Sequence, residues 1–193
     1  MKISPKFVLK VAGTLTIISL ITAALLGLVD GVTRDKIAEI EAEKTRQAMS
    51  VVTPAGSEFT DKLDIPAEVT AAASAQGGKV LELYGVKAGG CVMKISASGS
   101  QGSIVMMVGV DANNAITGIS VVSHAETSGI GTKVVGNELN DAGVPVLDPF
   151  IGMSGAGTLE VKKNISPISG ATVSTKGITT GANAALAAAE ALG

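Results

Sequence analysis

The chain has 193 residues, 15 lysines and arginines against 17 aspartates and glutamates, and a mean hydropathy of +0.45. A net charge of −2 without a basic cluster, in a sequence with no tryptophan and 2% aromatic residues, excludes nucleic acid as a partner. One cysteine, Cys91, cannot form an internal disulfide, and one histidine, His124, cannot build a zinc cage, so no metal site is expected and Cys91 is read as a small apolar filler.

Residues 1–10 carry Lys2, Lys6 and Lys10, and residues 11–29 run VAGTLTIISLITAALLGLV without a charge. That run is long enough to cross a bilayer as one helix. A cleaved signal peptide has the same basic start and apolar core, but its core is shorter, so the run is read as a retained anchor. The lysines ahead of the helix favour a cytoplasmic N-terminus and place the remainder outside, although Arg34, Lys36, Lys44 and Arg46 weaken the asymmetry.

Residues 30–78 are expected to be a stalk and a connecting segment. Thr33 to Val52 reads as a charged helix, ended by Pro54 and Gly56, and a polar stretch follows in which Val69 to Ala75 is the helix-prone run. Strands are expected at Lys79–Lys87, Cys91–Ala97, Ile104–Val110 and Ile116–Val122, the last two joined by the turn residues Asp111-Ala112-Asn113-Asn114. Met106 and Met107 are read as core. Thr132 to Leu139 suggests a short helix, residues 143–157 a loop, Thr158 to Lys162 a last strand, and Ile178 to Leu192 an alanine-rich helix packed on the sheet. The fold expected is α+β, with an antiparallel sheet and packed helices over residues 79–193.

Two stretches invite a chemical reading. His124-Ala-Glu126-Thr127-Ser-Gly129-Ile-Gly131 places glycines beside hydroxyls and a carboxylate, which suits either a loop close to a ligand or a tight surface turn. It is not a dinucleotide fingerprint, since the third glycine and the βαβ setting are missing. Ser169-Gly170-Ala171-Thr172-Val-Ser174-Thr175 brings hydroxyls and backbone N–H groups to the start of a helix, a setting that suits a phosphate and equally a capped turn. No catalytic acid, base or nucleophile is read from the chain, and His124 stays open between a structural role and that of a proton partner or ligand contact.

Together these two stretches resemble the FMN-binding domain family. With the anchor and the chain length, they are similar to the G subunit of the Rnf (Rsx) ion-translocating electron-transport complex and, less closely, to the C subunit of the sodium-pumping NADH:quinone reductase. The resemblance implies FMN linked by a phosphoester bond to the hydroxyl of Thr172, installed by a separate flavin transferase. It also implies that Ser169, Gly170 and Ala171 shape the turn, with Ser174 and Thr175 beside it. Glu126, Thr127, Gly129 and Gly131 would form a wall of the flavin site. The family motif usually has an aspartate where this chain has Ser166. The implied function is a single-pass inner-membrane flavoprotein with its domain outside the cytoplasm. It would relay electrons among the membrane subunits of a ferredoxin:NAD oxidoreductase that translocates ions. The contrasting expectation is an anchored, non-enzymatic binding module.

Overall fold

The computed structural model describes residues 5–193. Lys2 and the amino terminus, which entered the orientation argument, lie outside the described residues. The chain divides into two compact units, one ending at Glu43 and the other running Lys44–Gly193.

Helix α1 spans Pro5–Val52, so the expected anchor and the charged helix after it are one uninterrupted 48-residue element. Nothing in its sequence breaks it: prolines occur only at position 5 and after its end. In its apolar run Leu15, Leu20 and Leu26 are exposed. Its most apolar window has a mean hydropathy of 2.1 and no buried share, as a helix solvated by lipid requires. The hydroxyls within it do not stand against this. Thr14, Thr16 and Thr22 each donate to the carbonyl four residues back at 2.9 Å, so these three donors are not left bare in hydrocarbon. Beyond the apolar run, Asp30 pairs with Arg34 and Lys36 with Glu39 at helical spacing on an exposed surface.

The second unit is built on a five-stranded antiparallel meander in the order β1 (Phe59–Leu63), β2 (Gly78–Val86), β3 (Cys91–Ser98), β4 (Ser103–Val110) and β5 (Ile116–His124). Helix α2 (Ala67–Ala75) crosses between the first two strands, and α3 (Gly131–Val135) and α4 (Thr172–Leu192) follow the sheet. The β4–β5 hairpin turns through Asp111, whose carboxylate accepts from the N–H groups of Asn113 (2.8 Å) and Ala115 (2.9 Å). Asn114 there takes the left-handed conformation, φ 59°. These backbone bonds hold the Asp111 carboxyl below its ordinary value.

Both faces of the sheet are covered. Strand alternation sends Met93, Ile95, Met106 and Val108 to one side, where they pack with Phe150, with Val69 of α2 and with Ile178, Ala182, Ala185 and Leu186 of α4. The neighbouring residues Val92 and Met107 point the other way and meet Ala48, Met49 and Val52 from the last turns of α1. Met106 and Met107 are both fully buried, on opposite faces.

Helix α4 sits close to the sheet because small residues line its inner face. A Cβ added at Gly177 would lie 2.7 Å from the Ser98 carbonyl oxygen, and one at Gly181 would lie 2.6 Å from the Met106 methyl. The first neighbour is rigid backbone; the second is the free end of a flexible chain. The α1 end is seated in the same way. Gly109 and Gly118, partners across β4 and β5, lie beneath Val52, where a Cβ at either would meet its backbone. The Thr117 hydroxyl donates to the Val52 carbonyl at 2.5 Å and so caps one of the acceptors that a helix C-terminus leaves open.

Two expectations need correction. Thr158 to Lys162 is not a strand. Its backbone groups are taken instead by the Asn183 amide of α4, which accepts from the N–H groups of Gly157 (3.0 Å) and Leu159 (3.2 Å) and donates to the Leu159 carbonyl (2.9 Å). Thr158 itself bonds back to the Gly155 carbonyl at 2.8 Å, closing a turn. The polar stretch after α1 does contain a strand, β1. It lies at the sheet edge, paired on one side only, and four of its five residues are exposed, so no alternation marks it.

Candidate functional site

Pro167 and Ile168 are buried and lead into a β-turn in which the Ala171 N–H donates to the Ile168 carbonyl at 2.9 Å. Gly170 occupies the third position with φ +83°, the conformation a type II turn demands and one that other residues resist. Ala171 is buried, Ser169 and Gly170 are exposed, and α4 begins at once with Thr172. The first bond of the helix runs from the Thr175 N–H to the Ala171 carbonyl at 3.0 Å. Among the described residues no side chain caps this N-terminus, so the N–H groups of the first turn remain for a ligand or for water.

Thr172 is half-buried, and Val173 beside it is 58% exposed. Thr172 thus sits at the open edge of the first turn. The two hydroxyls that follow it turn inward. Thr175 is fully buried and donates to the Ala171 carbonyl at 3.1 Å, and buried Ser174 donates to Oε2 of Glu126.

Glu126 is the centre of the second stretch. It is 7% exposed, and its carboxylate ties three segments together. Oε1 accepts from the N–H groups of Ser100 (2.7 Å) and Gln101 (3.3 Å) in the β3–β4 turn, while Oε2 takes the Ser174 hydroxyl of α4. Its own N–H donates to Nδ1 of His124 at 3.2 Å, which gives that exposed histidine a structural contact. Two glycines make room for the carboxylate. A Cβ at Gly131 would lie 2.5 Å from Oε2, and one at Gly99 would collide with Oε1.

The rest of the loop is outside this clamp. Thr127 has a buried neighbour in Glu126 but lies on the loop's turn, where its carbonyl accepts from Ile130 and Thr132 at 3.3 Å. Gly129, at φ +77°, donates its N–H to the Thr132 hydroxyl at 2.9 Å. The fold therefore joins Glu126 and Gly131 to Ser174 directly. It leaves Thr127 and Gly129 on the outer turn of the same loop.

One residue near the turn gives no signal in sequence. Asp141, in the loop after α3, accepts from the Ser169 N–H (2.9 Å) and the Ser169 hydroxyl (3.1 Å), and donates its own N–H to the Pro167 carbonyl (3.0 Å). Its neighbour Asn140 is buried and accepts through Oδ1 from Ala142 and Val144; its Nδ2 has no partner among the described residues. In sequence, Asn140-Asp141-Ala142-Gly143 reads as turn chemistry and nothing more.

An FMN-type phosphate fits this arrangement. The uncapped first turn of a 21-residue helix offers N–H donors and the positive end of the helix dipole, and a hydroxyl stands at its edge. No group of three or more metal-ligating side chains occurs among the described residues.

Comparison with known proteins agrees with the geometry. The FMN-binding domain family model matches residues 99–187, and the RnfG N-terminal region model matches residues 1–52. The chain is 29% identical over 182 residues to the G subunit of the ion-translocating oxidoreductase complex of Methanosarcina acetivorans, covering 90% of this chain and 89% of the relative. It is also 29% identical over 190 residues to the G subunit of the Na(+)-translocating ferredoxin:NAD(+) oxidoreductase complex of Acetobacterium woodii, covering 92% and 89%. The G subunit of an ion-translocating oxidoreductase complex from Cereibacter sphaeroides is 32% identical over 124 residues, covering 62% of this chain and 55% of that protein. The two family models together take in the membrane helix and both halves of the site, and the first two relatives match along nearly the whole length. The chain is membrane-anchored, matches the FMN-binding domain family over residues 99–187, and is similar along nearly its whole length to the G subunits of ion-translocating oxidoreductase complexes.

Proposed function

We propose that the chain is the flavin-carrying subunit of an ion-translocating ferredoxin:NAD oxidoreductase complex, relaying electrons through FMN held covalently on Thr172. The observation that carries the attachment is the position of Thr172. Its hydroxyl stands half-buried at the uncapped first turn of α4 without an acceptor among the described residues, while Ser174 and Thr175 are committed inward.

Bound FMN would supply a redox centre able to take up and pass on one or two electrons. The protein's part is to hold and orient. The first-turn N–H groups of α4 would hold the phosphate, and Gly170 lets the chain turn without a side chain in the way. The Glu126 clamp fixes the start of α4 against the β3–β4 turn. A covalent link keeps the cofactor at high local concentration on a domain that faces a large volume.

Attachment needs an activated flavin, such as its dinucleotide, and a flavin transferase. The Thr172 hydroxyl loses its proton and forms the new P–O bond, the diphosphate bridge of the donor breaks, and a nucleoside monophosphate leaves. No electrons are exchanged in that step.

The FMN-bearing domain is proposed to lie on the extracytoplasmic side, with the other membrane subunits as its electron donors and acceptors. Co-expression with a flavin transferase should give a fluorescent band on a denaturing gel, and Thr172→Ala should abolish it. A dark wild-type band would sink the covalent attachment; fluorescence surviving in the variant would move it to another residue. For sidedness, protease added to intact spheroplasts should digest the domain. Digestion seen only with inverted vesicles would reverse the topology.

A further inference from the structure

We propose that Asp141 is a positioning residue for the flavin acceptor, supplying from a separate loop the carboxylate that sets the turn before Thr172. This rests on the reading of Thr172 as the attachment site. Three bonds carry it. Asp141 grips both donors of Ser169, the N–H at 2.9 Å and the hydroxyl at 3.1 Å, and returns its own N–H to the Pro167 carbonyl at 3.0 Å. The two loops are thereby laced at the residues on which the Ile168–Ala171 turn is hung.

The grip matters because little else holds the exposed half of that turn. Ser169 and Gly170 are exposed, and a Cβ built at Gly170 would meet nothing within 4 Å, so packing does not fix the turn there. Hydrogen bonds to an ionised acceptor are roughly twice as strong as neutral ones, and here one carboxylate takes two of them in parallel. Ser169 precedes Thr172 by three residues, so freedom at Ser169 passes through the left-handed Gly170 directly to the acceptor hydroxyl. Misplacing a reacting atom by about 1 Å can cost on the order of a hundredfold in rate.

The carboxylate also shares a cavity of about 390 Å³ with Ser166, Pro167 and Lys162. Position 166 lies three residues ahead of Ser169, within reach of a local side-chain-to-backbone bond to its N–H. A carboxylate placed at 166 would enter the same cavity and could take over the same donor. The proposal therefore predicts a rescue that a merely structural loop contact would not show.

The test uses the full chain in detergent with a flavin transferase and flavin dinucleotide, following in-gel fluorescence over time. Asp141→Ala should be modified at least about tenfold more slowly than wild type, with unchanged circular dichroism and midpoint of thermal unfolding. Adding Ser166→Asp to Asp141→Ala should recover most of the rate. Hydrogen exchange at the Ser169 amide, which needs no flavin, should accelerate in the single variant and slow again in the double one.

A bright wild-type band with Asp141→Ala modified at the wild-type rate overturns the role of Asp141 alone. A slow single variant that Ser166→Asp leaves slow overturns it as well. A dark wild-type band, by contrast, overturns the attachment on which the inference rests.

Discussion

Glu126 shows how a residue can be found for one reason and matter for another. Its place in a glycine-rich loop beside hydroxyls suggests a wall of a ligand site, yet its carboxylate is spent on Ser100, Gln101 and Ser174. Removing it leaves those three donors without their acceptor. Glu126→Ala should therefore lower unfolding stability by about 3 kcal/mol, read by urea denaturation. Because Ser174 is in the first turn of α4, the same variant should slow modification of Thr172, and Glu126→Gln should be milder on both counts. Cys91 gives a cleaner residue-scale expectation. Burial pushes its thiol up to about 11, so it stays protonated and shielded at neutral pH. A thiol reagent such as DTNB should label it only as the domain unfolds; rapid labelling of native protein would contradict the packing of β3.

Glu82 gives the pH dependence. Burial works to raise its carboxyl, but the Tyr84 hydroxyl at 2.8 Å, with Lys94 and Lys62, outweighs burial and holds it below its ordinary 4.5. A carboxylate depressed in the folded state stabilises at neutral pH, and that stability is lost as pH falls below 4.5 through the folded value. Glu82→Gln should flatten the acid limb of a thermal-melt pH series while leaving its neutral limb parallel to wild type. The same contacts act on Tyr84 in the opposite sense: burial and Glu82 raise its phenol to about 12, so it stays a donor throughout this range.

At the scale of elements, what was legible followed periodicity and turn chemistry. The strands from β2 to β5 carry β-branched and apolar residues between Gly-Gly or Asp-Ala-Asn-Asn turns, and α4 has an alanine-rich face. Most of their expected boundaries lie within a few residues of the element. Features that depend on a distant partner were not legible. β1 is polar because an edge strand pairs through its backbone, and residues 158–162 lack strand pairing because one asparagine on α4 satisfies much of their backbone. Asp141 is 28 residues from the serine it holds, and no local pattern announces such a pair. The end of α1 belongs with these. Its seat depends on Gly109 and Gly118, which in sequence look only like weak points in two strands. Gly109→Ala would drive a methyl into the Val52 carbonyl and should cost about 1–3 kcal/mol, read as a drop in the urea midpoint with an unchanged slope.

For the molecule as a whole, the compact unit that carries the site begins at Lys44. The last turns of α1 cover Val92 and Met107 and take the Thr117 hydroxyl, so they belong to the domain's packing as much as to the helix. A truncated protein starting at Lys44 should stay soluble without detergent and accept flavin. One starting at Pro54 should expose that apolar patch and aggregate, as light scattering during purification would show.

The meander has a consequence for how the domain assembles. Each strand pairs with its neighbour in sequence, so the sheet can grow strand by strand, largely through short loops. Its inner face is different, because α4, which covers it, follows all five strands in the chain. Until α4 docks, Met93, Ile95, Met106 and Val108 lack the cover of Ile178, Ala182, Ala185 and Leu186, and Glu126 has no serine to hold. The proposed acceptor is in the first turn of that same helix. Closing the core and presenting the hydroxyl are thus a single event, and a flavin mark on Thr172 would report that the domain had finished folding.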